Sequence, residues 1–84
     1  MTFTISDAVR AKMKQQAAAA EMPYGTIVGQ KIYDLQGLVD VLTAELQAAQ
    51  QAGDAKKIGE VTGKLAHRQA ELAAYKAERQ TAGS

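Results

Sequence analysis

The clearest hydrophobic pattern in the chain is a run of apolar residues spaced alternately four and three positions apart. Its members are Val28, Ile32, Leu35, Val39, Leu42, Leu46 and Ala49. Such heptad spacing places all of them on one narrow face of an α-helix, and covering that face with a second helix lowers the free energy. The pattern predicts a helix over about residues 27–51 that packs against another helix. Leu38 and Val41 widen the apolar face at mid-helix, and a face of that width contacts two neighbours.

A second apolar stripe predicts another helix, over about residues 55–80. Gly53 and Asp54 mark the boundary between the two helices. Glycine suits the left-handed backbone that ends a helix, and aspartate caps the start of the next one. Helices joined by so short a connection run antiparallel. We therefore expect a helical hairpin of coiled-coil type. Its predicted helix-packing residues are Val28, Ile32, Leu35, Val39, Leu42, Leu46, Ile58, Val61, Leu65 and Leu72.

Beside the apolar stripe, the second arm of the hairpin carries small residues: Gly59, Gly63, Ala66 and Ala70. Each glycine inside a helix costs about 1 kcal/mol relative to alanine. Small side chains let two helix axes approach closely and gain dispersion contacts. We interpret these four positions as a close-approach surface, against the hairpin itself or against a partner.

A shorter helix over about residues 6–20 is predicted before the hairpin, with Thr4 or Ser6 as its N-cap. Pro23 breaks the helical pattern, since proline lacks the amide proton that the helix needs. Thr26 is the predicted N-cap of the next helix. Whether the first helix folds back on the hairpin or contacts another molecule is open at this point.

These elements predict one all-α domain over residues 1–84, with a short N-terminal helix, a long antiparallel hairpin and a frayed tail at 81–84. A core of this size is marginal by itself, and natural small domains add disulfides, a metal or a partner chain. The chain has no cysteine and one histidine, which excludes disulfides and argues against a zinc site. A protein partner or a homo-oligomer is therefore the expected source of additional burial.

No catalytic or cofactor motif stands out. His67 and Glu71 lie one helical turn apart but lack a third metal ligand, and Ser6 and Ser84 have no accompanying base. The net charge is +1, and glutamates are interleaved with the basic residues of the last helix. Nucleic-acid binding, which needs basic residues on one surface, is therefore less favoured. We expect no enzyme activity, no cofactor, no metal and no small-molecule substrate.

The leading interpretation is a non-enzymatic assembly or adaptor protein that acts through helix–helix contacts. Tyr24, Tyr33 and Tyr75 are candidate partner contacts, because tyrosine combines a large contact area with a polar tip. The alternatives are a small nucleic-acid-binding regulator and a small inhibitor of a host enzyme. The alanine- and glutamine-rich composition suits a bacterial or phage accessory protein or a virion component. No apolar run is long enough to span a membrane, and no signal peptide is recognised, so a cytoplasmic or virion location is expected.

Overall fold

The computed structural model describes residues 2–82, which form three α-helices and no strand. Helix α1 spans Asp7–Ala20, α2 spans Tyr24–Ala52 and α3 spans Ala55–Ala82. Helices α2 and α3 pack along each other as an antiparallel hairpin. Together with the N-terminal residues they form an elongated body with overall dimensions of 48 × 20 × 20 Å. The predicted all-α class and the helical hairpin are confirmed.

Helix α1 begins where the sequence indicated. The Ser6 hydroxyl accepts a hydrogen bond from the Val9 amide at 3.2 Å, so Ser6, and not Thr4, is the N-cap. The helix ends at Glu21, whose φ of 54° is left-handed. The Met22 amide then donates to the Ala17 carbonyl at 2.9 Å, which satisfies a backbone acceptor at the helix end.

Helix α2 starts three residues earlier than predicted. Pro23 is its N-cap, and the Thr26 amide donates to the Pro23 carbonyl at 3.0 Å, inside the first helical turn. The prediction of Thr26 as N-cap is wrong, because the fixed φ of proline already suits a helix start, where a missing amide proton costs nothing. Proline therefore ends one helical segment and opens the next.

The connection between α2 and α3 follows the prediction. Gly53 adopts a left-handed φ of 68° and ends α2. The Asp54 carboxylate accepts a hydrogen bond from the Lys57 amide at 3.1 Å and caps α3. Helix α3 then continues to Ala82, so Thr81 is helical and does not belong to a frayed tail, whereas residues 83–84 lie outside the described part of the chain.

None of the predicted helix-packing residues is exposed. The buried ones are Val28, Leu35, Val39, Val61 and Leu72, and the half-buried ones are Ile32, Leu42, Leu46, Ile58 and Leu65. All of them lie along the seam, the line on which α2 and α3 face each other. The exposed fraction is lowest at Val28 (0%) and Leu35 (1%), so the best-covered part of the seam lies towards the start of α2.

The N-terminal arm, residues 2–20, supplies that extra cover. Met13 and Ala17 of α1 and Ile5 before it are buried in the same cluster as the seam residues of α2 and α3. The Phe3 ring stacks on Tyr75, with 6.3 Å between ring centroids, and meets His67 edge-on at 6.0 Å. The first helix therefore folds back on its own hairpin.

Among residues 2–82, nothing approaches the two glycines of the small-residue surface on α3 closely. A Cβ atom added at Gly59 or at Gly63 would meet nothing within 4 Å, Ala66 is exposed and Ala70 is half-buried. Gly59 and Gly63 are offset by about half a helical turn from the buried Val61, so they lie away from the seam. For these two glycines the part of the prediction that placed them against the hairpin is wrong. A close approach by another molecule at the four positions remains a prediction.

Candidate protein-interaction surface

The three candidate tyrosines have different environments. Tyr75 is 3% exposed and packs in the core, so the prediction of Tyr75 as a partner contact is wrong. Burial raises the pKa of its phenol, and the nearby Glu71 carboxylate adds to that shift. Tyr24 is half-buried, whereas Tyr33 is 81% exposed on α2 and remains available to a partner.

Glu78 joins the N-terminal arm to both long helices. The Arg10 guanidinium donates two hydrogen bonds to its carboxylate, from Nε at 2.8 Å and from Nη2 at 3.0 Å. The Tyr24 hydroxyl donates a third at 2.8 Å. The hydrogen bond from Arg10 is the main cause that lowers the pKa of Glu78. Desolvation is the main cause that raises the pKa of Tyr24 to about 12, and the hydrogen bond to Glu78 adds to it. Since both carboxylate oxygens are engaged, Glu78 is a structural anchor of the arm.

Glu71 is the centre of a second polar cluster, on α3. Its Oε1 atom accepts a hydrogen bond from Arg68 at 2.7 Å and lies 3.3 Å from His67 Nε2. Among the described residues, no three His, Cys, Asp or Glu side chains are grouped so as to hold a metal ion. Because Glu71 is buried, the ion pair with Arg68 compensates the cost of removing its charge from water.

Basic side chains on each of the three helices are engaged in contacts within the chain. Arg10 contacts Glu78 and Arg68 contacts Glu71, while the Lys14 and Lys31 ammonium groups lie 5.8 Å from the ring centroids of tyrosines. Each of these cations therefore lies against a carboxylate or an aromatic ring of the chain itself, and two of them, Arg10 and Lys14, lie around the Tyr24–Glu78 pair. The arrangement gives no particular support to a phosphate-binding surface.

An exposed apolar surface lies on α2, beyond the end of α1. The side chains of Met13 and Gln16 in α1 line a shallow groove with Ile27, Gln30, Lys31 and Asp34 of α2. The same side of α2 continues at helical spacing as the uncovered stripe, which consists of Leu38, Val41, Glu45, Ala48 and Ala52.

Two large apolar side chains of the uncovered stripe reach solvent. Leu38 is 43% exposed and Val41 is 57% exposed. Towards the turn, Glu45, Ala48 and Ala52 line a shallow depression whose other wall includes Lys57 of α3. The sequence indicated a broad apolar face at Leu38 and Val41, but their exposure depends on how far α1 extends along α2.

Comparisons with protein-family models, with curated proteins and with solved structures give no significant match. Within the described residues, no helix is both long enough and apolar enough to cross a membrane. The fold and its surfaces therefore define the class of this protein only as a small all-α hairpin with a docked N-terminal helix.

Proposed function

We propose that this protein is a non-enzymatic assembly or adaptor protein that binds another protein chain through helix–helix contacts. The observation that carries the proposal is the uncovered stripe. It continues the side of α2 that α1 already covers, and its two large apolar residues, Leu38 and Val41, are exposed.

The energetic reason is the hydrophobic effect. Complete burial of an exposed valine or leucine side chain contributes about 1.5–3 kcal/mol. Leu38 and Val41 are 43% and 57% exposed, so covering what remains of each would contribute part of that amount. An amphipathic helix laid along the stripe would cover them in the way that α1 covers Ile27. Exposed apolar residues arranged in a line are typical of interaction surfaces, whereas scattered ones are ordinary.

The composition supports a narrower version of the proposal. A cysteine-free chain rich in alanine and glutamine suits a bacterial or phage accessory protein, or a component of a virion, that acts in the cytoplasm or in the assembled particle. This version concerns the setting of the protein, and the contact surface is the same in each case.

Site-specific photocrosslinking in the source cells tests the proposal. A photoreactive amino acid at Val41 is expected to give a covalent adduct with a protein chain. The same amino acid at Gln47, which is exposed on another side of α2, is the matched control and is expected to give far less adduct. Equal adduct yields at the two positions, or none at Val41, would contradict the proposal.

A further inference from the structure

We propose that two copies of this chain exchange their N-terminal arms, so that the arm of each copy docks on the hairpin of the other. The structure itself shows what fits the docking site, because the arm already lies there in the single chain. The exchange uses the surface of the hairpin under the arm and not the uncovered stripe. The inference therefore does not depend on the proposed function.

The contacts that hold the arm join it to the hairpin. Ile5, Met13 and Ala17 are buried in one cluster with seam residues of α2 and α3. The Arg10 guanidinium donates to the Glu78 carboxylate of α3 from Nε at 2.8 Å and from Nη2 at 3.0 Å. A second copy offers an identical hairpin, so an exchanged arm makes every one of these contacts again.

The hinge, residues 21–23, is the segment that changes on exchange. All three residues are exposed, so moving them uncovers no core side chain. Glu21 has a φ of 54° and is, among residues 2–82, the one non-glycine residue with a positive φ. This left-handed backbone disfavours a residue that carries a Cβ atom. A short hinge under strain favours exchange, because opening it relieves the strain while the docking contacts are kept.

Pro23 determines the form of the opened hinge. It lacks an amide proton and disfavours helical backbone at Met22, so α1 and α2 do not merge into one straight helix. Three extended residues span about 10 Å. Packed helices lie about 8–10 Å apart, so an opened hinge is long enough to carry the arm to a hairpin that lies alongside.

The arm is also the part of the fold that detaches most readily. Of the 14 residues of α1, Met13 and Ala17 are buried, so the arm opens at a lower free energy than the hairpin. The monomer keeps the same docking contacts without the entropic cost of association. The exchanged dimer therefore forms as the concentration rises.

Sedimentation equilibrium on the purified full chain tests the inference. We expect a mass that rises from 8.9 kDa towards twice that value with concentration. Glu21→Gly is expected to weaken the dimer by about tenfold or more, because glycine removes the strain that the monomer carries and the dimer has two hinges. Gln51→Gly, at an exposed position of α2 far from the arm, is the matched control and is expected to leave the dimer unchanged.

A mixing experiment tests the exchange itself. Arg10→Glu and Glu78→Arg each place like charges at the anchor, in the monomer and in a dimer of identical copies, so each variant alone is expected to associate weakly. In the mixed dimer the carboxylate introduced at position 10 meets the guanidinium introduced at position 78 of the other copy. The native Arg10 and Glu78 meet at the second site. The mixture is therefore expected to associate about tenfold more tightly than either variant, which happens only if the arms are exchanged.

Each result has a defined meaning. Wild-type chain that stays a monomer at every concentration, or Glu21→Gly that associates as well as wild type, would overturn the inference. A mixture of folded charge variants that associates no better than either variant would overturn it too. Circular dichroism shows whether these variants fold, and if they do not, the wild-type and Glu21→Gly masses decide. Photocrosslinking at Val41 tests the stripe alone, so the proposed function can fail or stand independently.

Discussion

The two ends of the hairpin differ in the number of helical layers that cover the seam. We call the end where the chain enters α2 and leaves α3 the closed end, because the N-terminal arm covers it. There the arm lies over both helices, and the seam residues Val28 and Leu35 are almost completely buried. We call the end with the turn at Gly53 the open end, because the arm does not reach it. There only α2 and α3 meet, and the seam residues Leu46 and Ile58 are half-buried. The same two helices, with apolar residues along the whole seam, therefore bury these seam residues to different extents at their two ends.

This difference shows how much of a small core depends on a third layer. Two helices bury one narrow line of side chains, and the residues beside that line stay in contact with water. Val61 and Ala49 are buried at the open end as well, so the difference between the two ends concerns the seam residues next to them, Leu46 and Ile58, which stay half-buried. The arm extends burial sideways at the closed end, and a partner chain is the element we propose for the open end.

The largest expected effect concerns the seam. Leu35→Ala at the closed end is expected to reduce the free energy of unfolding by about 2–5 kcal/mol, because it leaves a cavity among buried neighbours. Leu46→Ala at the open end is expected to cost clearly less, since the side chain is only half-buried. Urea denaturation of both variants measures the two costs, and equal losses would mean that the two ends are equally packed.

An intermediate effect concerns the anchor of the arm. Glu78→Gln is expected to lower the free energy of unfolding at neutral pH by about 1 kcal/mol, because it weakens the hydrogen bonds from Arg10 and Tyr24. The effect is no larger because the Arg10 side chain is partly exposed to solvent. The pKa of Glu78 is lowered in the folded chain, so its carboxylate stabilises the fold when the pH is above 4.5, the ordinary pKa of the group. This contribution is lost as the pH falls through the lower pKa of the folded state.

The difference between wild type and Glu78→Gln should therefore shrink when the pH is lowered from 7 to 3. Glu60→Gln, at an exposed position of α3 nearer the turn, is the matched control and is expected to change stability little. Denaturation curves at both pH values provide the measurement. A cost for Glu78→Gln that stays constant down to pH 3 would show that its charge is not the source of the effect.

The smallest expected effect concerns the glycines. Gly63→Ala, where an added Cβ meets nothing within 4 Å, is expected to stabilise the isolated chain by about 0.5–1 kcal/mol through higher helix propensity. At Gly29 the added Cβ would lie 3.4 Å from the Arg79 guanidinium carbon, so the gain is expected to be smaller. Thermal unfolding compares the two, and a loss of stability at Gly63 would indicate an unseen neighbour there.

Local patterns in the sequence were sufficient to predict the three helices and the connection between α2 and α3. Ser6, Gly53 and Asp54 act through groups within a few positions, so residue type alone indicates their roles. The start of α2 was misplaced because Pro23 was interpreted only as a helix breaker, although the same fixed φ also suits a helix start.

Contacts between distant parts of the chain were not predictable in this way. Arg10 and Glu78 are 68 positions apart, and nothing in either neighbourhood indicates the pairing. The burial of Tyr75 depends in the same way on Phe3, which reaches it from the opposite end of the chain. The exposure of Val41 follows from the length of α1 and from where the arm docks. These are properties of the assembled fold, so a candidate surface was foreseen only as a broad apolar face.

The most direct test of the two-ended hairpin is amide hydrogen exchange along α2 of the purified chain at low protein concentration, where no other molecule covers the open end. We predict that amides of residues 28–39 exchange more slowly than those of residues 42–49, because opening the closed end also exposes the surface buried by the arm. Equal exchange rates along α2, or slower exchange in residues 42–49, would contradict the picture of one closed and one open end.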